Sequence, residues 1–104
     1  MNIKHFIEDK LLVIELNEEI DHYETEKIRK RADYEIQRLM PQKVIFDFKK
    51  VNFMDSAGIG LIMGRFRTVS CYGGNIELIN ANNKIEKIFE MSGLKKFVVK
   101  EKLA

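Results

Sequence analysis

The segment Phe53-Met54-Asp55-Ser56-Ala57-Gly58-Ile59-Gly60 places an acid and a hydroxyl side by side where a strand pattern changes to a helix pattern. The run from Lys43 to Phe48 before it is β-branched and aromatic, which is typical of a strand covered on both faces. After it, apolar residues recur at helical spacing and predict a helix that packs on the sheet through Ile59, Ile62, Phe66 and Val69. We therefore expect Ser56 at the first turn of a helix, where free backbone N–H groups and the helix dipole favour a negative group. A serine in that position is suited to carry a phosphate.

The chain before this segment predicts a hairpin and a helix. The apolar runs Ile3–Ile7 and Leu11–Leu16 are separated by three charged residues, so they indicate two paired strands, the first at a sheet edge. Asp21 and Glu24 have the spacing of a capping box at the start of the helix that follows. Its inward face is predicted to carry Ile28, Ala32, Ile36 and Leu39, and Pro41 follows its end.

The chain after it alternates in the same way. The Ser56 helix is expected to end near Cys71 or Tyr72, before Gly73-Gly74, and residues 76–79 are predicted as the next strand. A short helix stopped by Gly93 follows, and residues 97–99 are predicted as a last strand. This order predicts one α/β domain over residues 1–104, with a mixed, mostly parallel sheet that opens with a β-hairpin and packs against alternating helices.

Composition narrows the class of protein. The 104 residues include 18 basic and 16 acidic side chains, interleaved along the chain, which argues against a nucleic-acid-binding face. The N-terminal residues lack the apolar run of a signal peptide and no segment has the length of a membrane span, so we expect a cytoplasmic protein that does not bind membranes. Cys71 is the single cysteine, and His5 and His22 make no metal-ligand spacing with it. We expect neither a metal nor a cofactor.

The Ser56 helix carries an unusual number of glycines. Each of its three glycines costs roughly 1 kcal/mol against alanine in a helix interior, so they require another explanation. Gly58 is predicted to pack tightly on the strand. Gly60 and Gly64 would leave a bare strip beside Ser56 on which another protein could rest. Met63, expected to be exposed, and Arg67 share this side of the helix.

Two acids have more than one interpretation. Asp55 is expected to be the helix cap, which leaves Ser56 free for another role. Asp21 is either a cap alone or part of a functional site. Because loops at the carboxyl ends of parallel strands share one edge of a sheet, Asp21 and His22 are predicted to converge with Asp55 and Ser56.

Other chemistries match the pattern less well. The glycines from Gly58 to Gly64 have the wrong spacing for a dinucleotide-binding turn, and the segment is not the GxSxG motif of a hydrolase. A small nucleotide-binding or anion-binding module that uses the helix N-terminus remains an alternative.

Three segments in order resemble one protein family. Phe53 to Gly60, followed by Gly64-Arg65-Phe66, resembles the phosphorylation segment of the anti-anti-sigma factors of the STAS domain family. Glu19-Ile20-Asp21-His22 resembles the loop before the family's first helix, and Phe89-Glu90-Met91-Ser92-Gly93-Leu94 resembles a later turn. The similarity spans nearly the whole chain and is closest to the sporulation type. A STAS module of a general-stress pathway is the alternative within the family.

The resemblance implies a bacterial regulator that performs no catalysis and is a monomer when free. Its unphosphorylated form would bind an anti-sigma factor that is also a serine kinase, and so release a sigma factor. The kinase would phosphorylate Ser56, and a PP2C-type phosphatase would reverse the modification. The partner-binding residues expected from the helix face and the resemblance together are Asp21, His22, Asp55, Ser56, Ala57, Gly58, Gly60, Met63, Gly64 and Arg67.

Overall fold

The structure is a computed structural model that describes residues 1–99. In chain order, its elements are β1 (Asn2–Phe6), β2 (Leu11–Glu15), β3 (Glu19–Ile20), α1 (His22–Leu39), β4 (Lys43–Asp47), β5 (Phe53–Met54), α2 (Ser56–Ser70), β6 (Asn75–Ile79), α3 (Asn83–Ser92) and a 3-10 helix (Lys95–Phe97). A four-stranded sheet has the spatial order β1-β2-β4-β6. β1 pairs with β2 in antiparallel fashion at the edge, and the other neighbours are parallel. The predicted mixed sheet with an opening hairpin is confirmed.

The limits of α1 and α3 lie at the residues that the sequence predicted as their caps or stops. Oδ1 of Asp21 accepts a hydrogen bond of 2.8 Å from the backbone N–H of Glu24, which satisfies a free donor of the first turn of α1. The C-cap of α1 is Met40, which is in the left-handed conformation and stands just before Pro41. α3 ends at Gly93, whose φ of 78° is a conformation that glycine adopts without strain.

The core lies on one face of the main sheet. Burial alternates along β2, β4 and β6. Their buried side chains are Leu12, Ile14, Val44, Phe46, Ile76 and Leu78. They join the inward residues of the helices in one apolar cluster. The opposite face is only half-buried and carries ion pairs such as Lys43–Glu77, at 3.0 Å. The expectation that β4 is covered on both faces is therefore wrong, because its alternate residues remain partly in contact with solvent.

The buried face of α2 is rotated from the predicted stripe. Ile62 and Val69 are fully buried as expected, but Ile59 and Phe66 are only half-buried at the margin of the core. The face that meets the rest of the protein is completed by Gly58, Leu61 and Arg65. The rotation arises because α2 packs against α1 as well as against β6.

Residues 97–99, which were predicted as a last strand, do not form one. Phe97 ends the 3-10 helix, and Val98 makes a single parallel bridge to Leu78 of β6. Phe97 is buried instead against the ring of Phe66, with 4.7 Å between ring centroids, so a packing contact replaces the expected ladder. Within residues 1–99, no helix combines the length and apolar character needed to cross a bilayer.

Candidate functional site

Two short strands bring the two acidic loops together. β3 and β5 form a separate parallel pair in which Glu19 is opposite Phe53 and Ile20 is opposite Met54. The next backbone bond in this direction runs from the N–H of Asp55 to the carbonyl oxygen of Ile20, at 3.2 Å. The predicted convergence of the Asp21 and Asp55 segments is thus observed. It depends on this small second sheet, which the sequence did not predict, rather than on the edge of the main sheet.

Asp55 connects the first turns of α1 and α2. Its Oδ1 accepts a 2.9 Å hydrogen bond from the N–H of Ala57, which makes Asp55 the predicted cap of α2. Its Oδ2 accepts a second bond of 3.1 Å from the N–H of His22, the first residue of α1. One carboxylate therefore satisfies free donors at two helix N-termini and fixes their separation.

We expect Asp55→Ala to lower the free energy of unfolding by about 2 kcal/mol, since a lost cap and a lost second acceptor each cost about 1 kcal/mol. Asp55→Asn is the matched control because its carbonyl oxygen can still cap Ala57 while its amide cannot accept from His22. Urea denaturation should therefore show a loss of unfolding free energy for Asp55→Asn that lies between those of the wild type and Asp55→Ala. Equal stability of the alanine variant and the wild type would contradict the bridging role.

Ser56 is the first residue of α2 and is exposed to solvent. Its hydroxyl makes no hydrogen bond to any residue in the described part of the chain, so no base within residues 1–99 is hydrogen-bonded to it. Among residues 1–99, no three His, Cys, Asp or Glu side chains are grouped so that they could hold a metal ion. The hydroxyl is accessible as an acceptor of a group delivered by another molecule.

The three glycines of α2 have different surroundings. A Cβ at Gly58 would overlap Cγ of Met54 and lie 3.3 Å from Cγ2 of Ile20, so Gly58 is where α2 packs on β3 and β5 as predicted. Gly58 is buried, so it does not itself form part of an exposed docking surface. Its role is to let α2 approach these strands closely. A Cβ at Gly60 or Gly64 would meet no atom within 4 Å, in agreement with the predicted bare strip.

The bare strip forms one wall of a groove between α1 and α2, with a volume of about 330 Å³. We call it the α1/α2 groove. Its lining includes five of the residues predicted for partner binding, namely His22, Ala57, Gly60, Gly64 and Arg67. Met63 does not line it: this side chain is half-buried and packs against the core, which corrects the expectation that it is exposed.

Sequence reasoning missed two arginines of this groove, Arg29 and Arg65. Arg65 is nine-tenths buried, and its Nε lies 2.9 Å from Oδ1 of Asp33 on α1. The contact is an ion pair without hydrogen-bond geometry, and Nη1 of Arg65 also lacks a hydrogen-bond partner within residues 1–99. Burial lowers the pKa of the Arg65 guanidinium, and the Asp33 carboxylate offsets only part of this effect. The signal was available, because Arg65 stands four residues from both Leu61 and Val69 and so lies on the buried side of α2.

Comparison with known proteins gives matches along nearly the whole chain. The STAS domain profile matches residues 3–104. The anti-sigma F factor antagonist of Paenibacillus polymyxa is 32% identical over 88 residues, which are 85% of this chain and 75% of that protein. The solved structure of the anti-sigma factor antagonist SpoIIAA in its unphosphorylated form superposes with a TM-score of 0.87 at 30% identity, covering 97% of this chain and 87% of that one. The solved structure of the phosphorylated form of the Bacillus cell fate determinant SpoIIAA superposes with a TM-score of 0.78 at 30% identity. It covers 97% of this chain and 90% of that one.

Proposed function

This chain belongs to the STAS domain family, and we propose that it is an anti-sigma factor antagonist that is switched by phosphorylation of Ser56. The unphosphorylated form binds an anti-sigma factor and thereby frees a sigma factor. The anti-sigma factor is also the serine kinase, and a PP2C-type phosphatase restores the active form. In this cycle the chain is a substrate and a binding partner, and it catalyses no step itself. It acts in the cytoplasm as a single domain.

The observation that carries this proposal is the placement of Ser56. The hydroxyl is exposed at the N-terminus of α2, free of internal hydrogen bonds within residues 1–99, and next to the α1/α2 groove through Ala57 and Gly60. A kinase needs such an accessible hydroxyl, and a partner needs a surface without protruding side chains. The named relatives, described above as antagonists of anti-sigma factors, support the same function.

The geometry also suggests how a phosphate would change binding. A phosphate on Ser56 adds close to two negative charges beside the Asp55 carboxylate, and the helix N-terminus offsets only part of the repulsion. Both carboxylate oxygens of Asp55 already accept hydrogen bonds from the first turns of α1 and α2, so this side chain keeps its position. The modified residue would change the docking surface while the buried core stays as it is.

The direct test is phosphorylation followed by intact-mass measurement. The chain is incubated with ATP and the anti-sigma factor kinase of the source cell, which can be isolated as the protein retained by immobilised Ser56→Ala. We expect one added phosphate on the wild type and none on Ser56→Ala. Peptide mapping then assigns the position, with Ser70 on the exposed far end of α2 as an internal control. Absence of the phosphate, or its presence at another residue, would refute the proposal.

A further inference from the structure

The α1/α2 groove carries positive charge on both of its walls. Arg29 extends from α1, and Arg65 and Arg67 extend from α2. Among residues 1–99, Glu26 is the one acid that lines the groove, and its Oε2 lies 2.7 Å from Nη2 of Arg29. This hydrogen bond lowers the Glu26 pKa, so the carboxylate stays ionised and is compensated locally. The described residues therefore give the groove no uncompensated negative charge.

Two of the three arginines are incompletely compensated. Arg65 faces one carboxylate, Asp33, which also lies 3.9 Å from Nη1 of Arg29 and is shared between the two cations. Nη1 of Arg65 is buried without a hydrogen-bond partner in the described chain. Arg67 is exposed and makes no ion pair within residues 1–99. An added negative group would be stabilised here because buried charges require compensation.

The groove also has room for a side chain and a backbone from another molecule. Gly60 and Gly64 present no side chain, and the space where a Cβ would stand is empty to 4 Å. His22 and Ala57 line the end of the groove that adjoins Ser56. A protein segment lying along the groove would thus pass the phosphorylation position.

We propose that the α1/α2 groove binds an acidic side chain, Asp or Glu, of the anti-sigma factor, with Arg67 as the accessible contact and Arg65 beneath it. This inference rests on the proposed function and specifies the chemistry of the partner. Charge complementarity selects the occupant: the groove presents planar guanidinium groups, which match carboxylates, and an open glycine wall that a protein backbone can approach. It also explains the switch, because a phosphate on Ser56 places like charge at the end of the groove and repels the same acidic segment.

The test compares two charge reversals in the full chain. Arg67→Glu places an acid in the groove. Arg31→Glu is the matched control, since Arg31 is exposed on α1, does not line the groove, and points about 200° away from Arg29 around the helix. Affinity for the anti-sigma factor, held with a non-hydrolysable ATP analogue so that Ser56 is not phosphorylated during the titration, is measured by calorimetry at low and at high salt. Circular dichroism first verifies that both variants are folded.

We expect Arg67→Glu to weaken binding about tenfold and Arg31→Glu to change it less than about twofold. Salt should weaken binding of the wild type more than that of Arg67→Glu, because one attractive charge pair has been removed. Replacement of one acidic residue of the anti-sigma factor by lysine should restore binding to Arg67→Glu.

Three results would overturn this inference. These are a loss of less than about fivefold for Arg67→Glu, an equal loss for Arg31→Glu, and the failure of every acid-to-lysine change to restore binding. Submillimolar binding of inorganic phosphate or ATP alone that is lost in Arg67→Glu would assign the groove to a free anion instead. The proposed function is tested separately, because the wild type must still bind the kinase and be phosphorylated on Ser56. If it does so while Arg67→Glu binds normally, only the inference about the groove fails.

Discussion

Ser56→Asp is expected to bind the anti-sigma factor about a hundredfold more weakly than the wild type, a loss of roughly 2.8 kcal/mol. The hydroxyl is exposed at the start of α2, so an introduced carboxylate would be tolerated in the free protein. In a complex it would be removed from water against the partner. An ionised group that is desolvated without its own partner costs several kcal/mol. The expected loss therefore appears in binding and not in folding.

Two variants separate charge at this position from other effects. Ser56→Ala removes the hydroxyl without adding charge or bulk to the docking surface. It should bind within about threefold of the wild type, since truncating a serine in an interface usually costs little binding energy. Ser70→Asp adds the same charge to the same helix at the exposed opposite end and should also bind normally. Calorimetric titration with the anti-sigma factor bound to a non-hydrolysable ATP analogue, which leaves Ser56 unmodified, measures all four proteins. Equal weakening by Ser56→Asp and Ser70→Asp would show that net charge, rather than this position, controls binding.

Gly58→Val is expected to lower the free energy of unfolding by about 3 kcal/mol, the upper end of the usual range for overpacking. Its Cβ would overlap Cγ of Met54 and stand 2.6 Å from Sδ of the same side chain. Met54 is buried, with 4% of its surface exposed, so its side chain has little free space into which it could move away from the added atoms. The same substitution should separate the Asp21 loop from α2 and weaken partner binding as well.

The control for this prediction is the neighbouring glycine of the bare strip. A Cβ at Gly60 would meet no atom within 4 Å, so we expect Gly60→Val to change the free energy of unfolding by less than about 1 kcal/mol. Valine is also a slightly better helix former than glycine. Met54→Ala in the Gly58→Val background should recover part of the loss, which a double-mutant cycle in urea measures. Unchanged stability of Gly58→Val, or no coupling to Met54, would contradict the packing argument.

Much of the fold could be predicted because its signals are local. The hairpin, the Asp21 and Asp55 caps and the end of α3 at Gly93 depend on residues within a few positions of one another. The last strand was predicted wrongly because Phe97 has strand propensity but is fixed by a contact with Phe66 from another element. Tertiary packing overrides propensity in such short terminal segments.

Some features of the candidate site were likewise predictable from local sequence, and others depend on tertiary contacts. The sequence by itself determined that Ser56 begins a helix behind an aspartate cap and beside two open glycines, because capping and helical periodicity act over one or two turns. Only the tertiary structure decided that Asp55 also holds α1, through a hydrogen bond that spans 33 residues to His22. It likewise placed Arg65 against Asp33 and so gave the α1/α2 groove its charge. Such contacts depend on how two helices pack, and one periodic pattern contains no information about the partner helix.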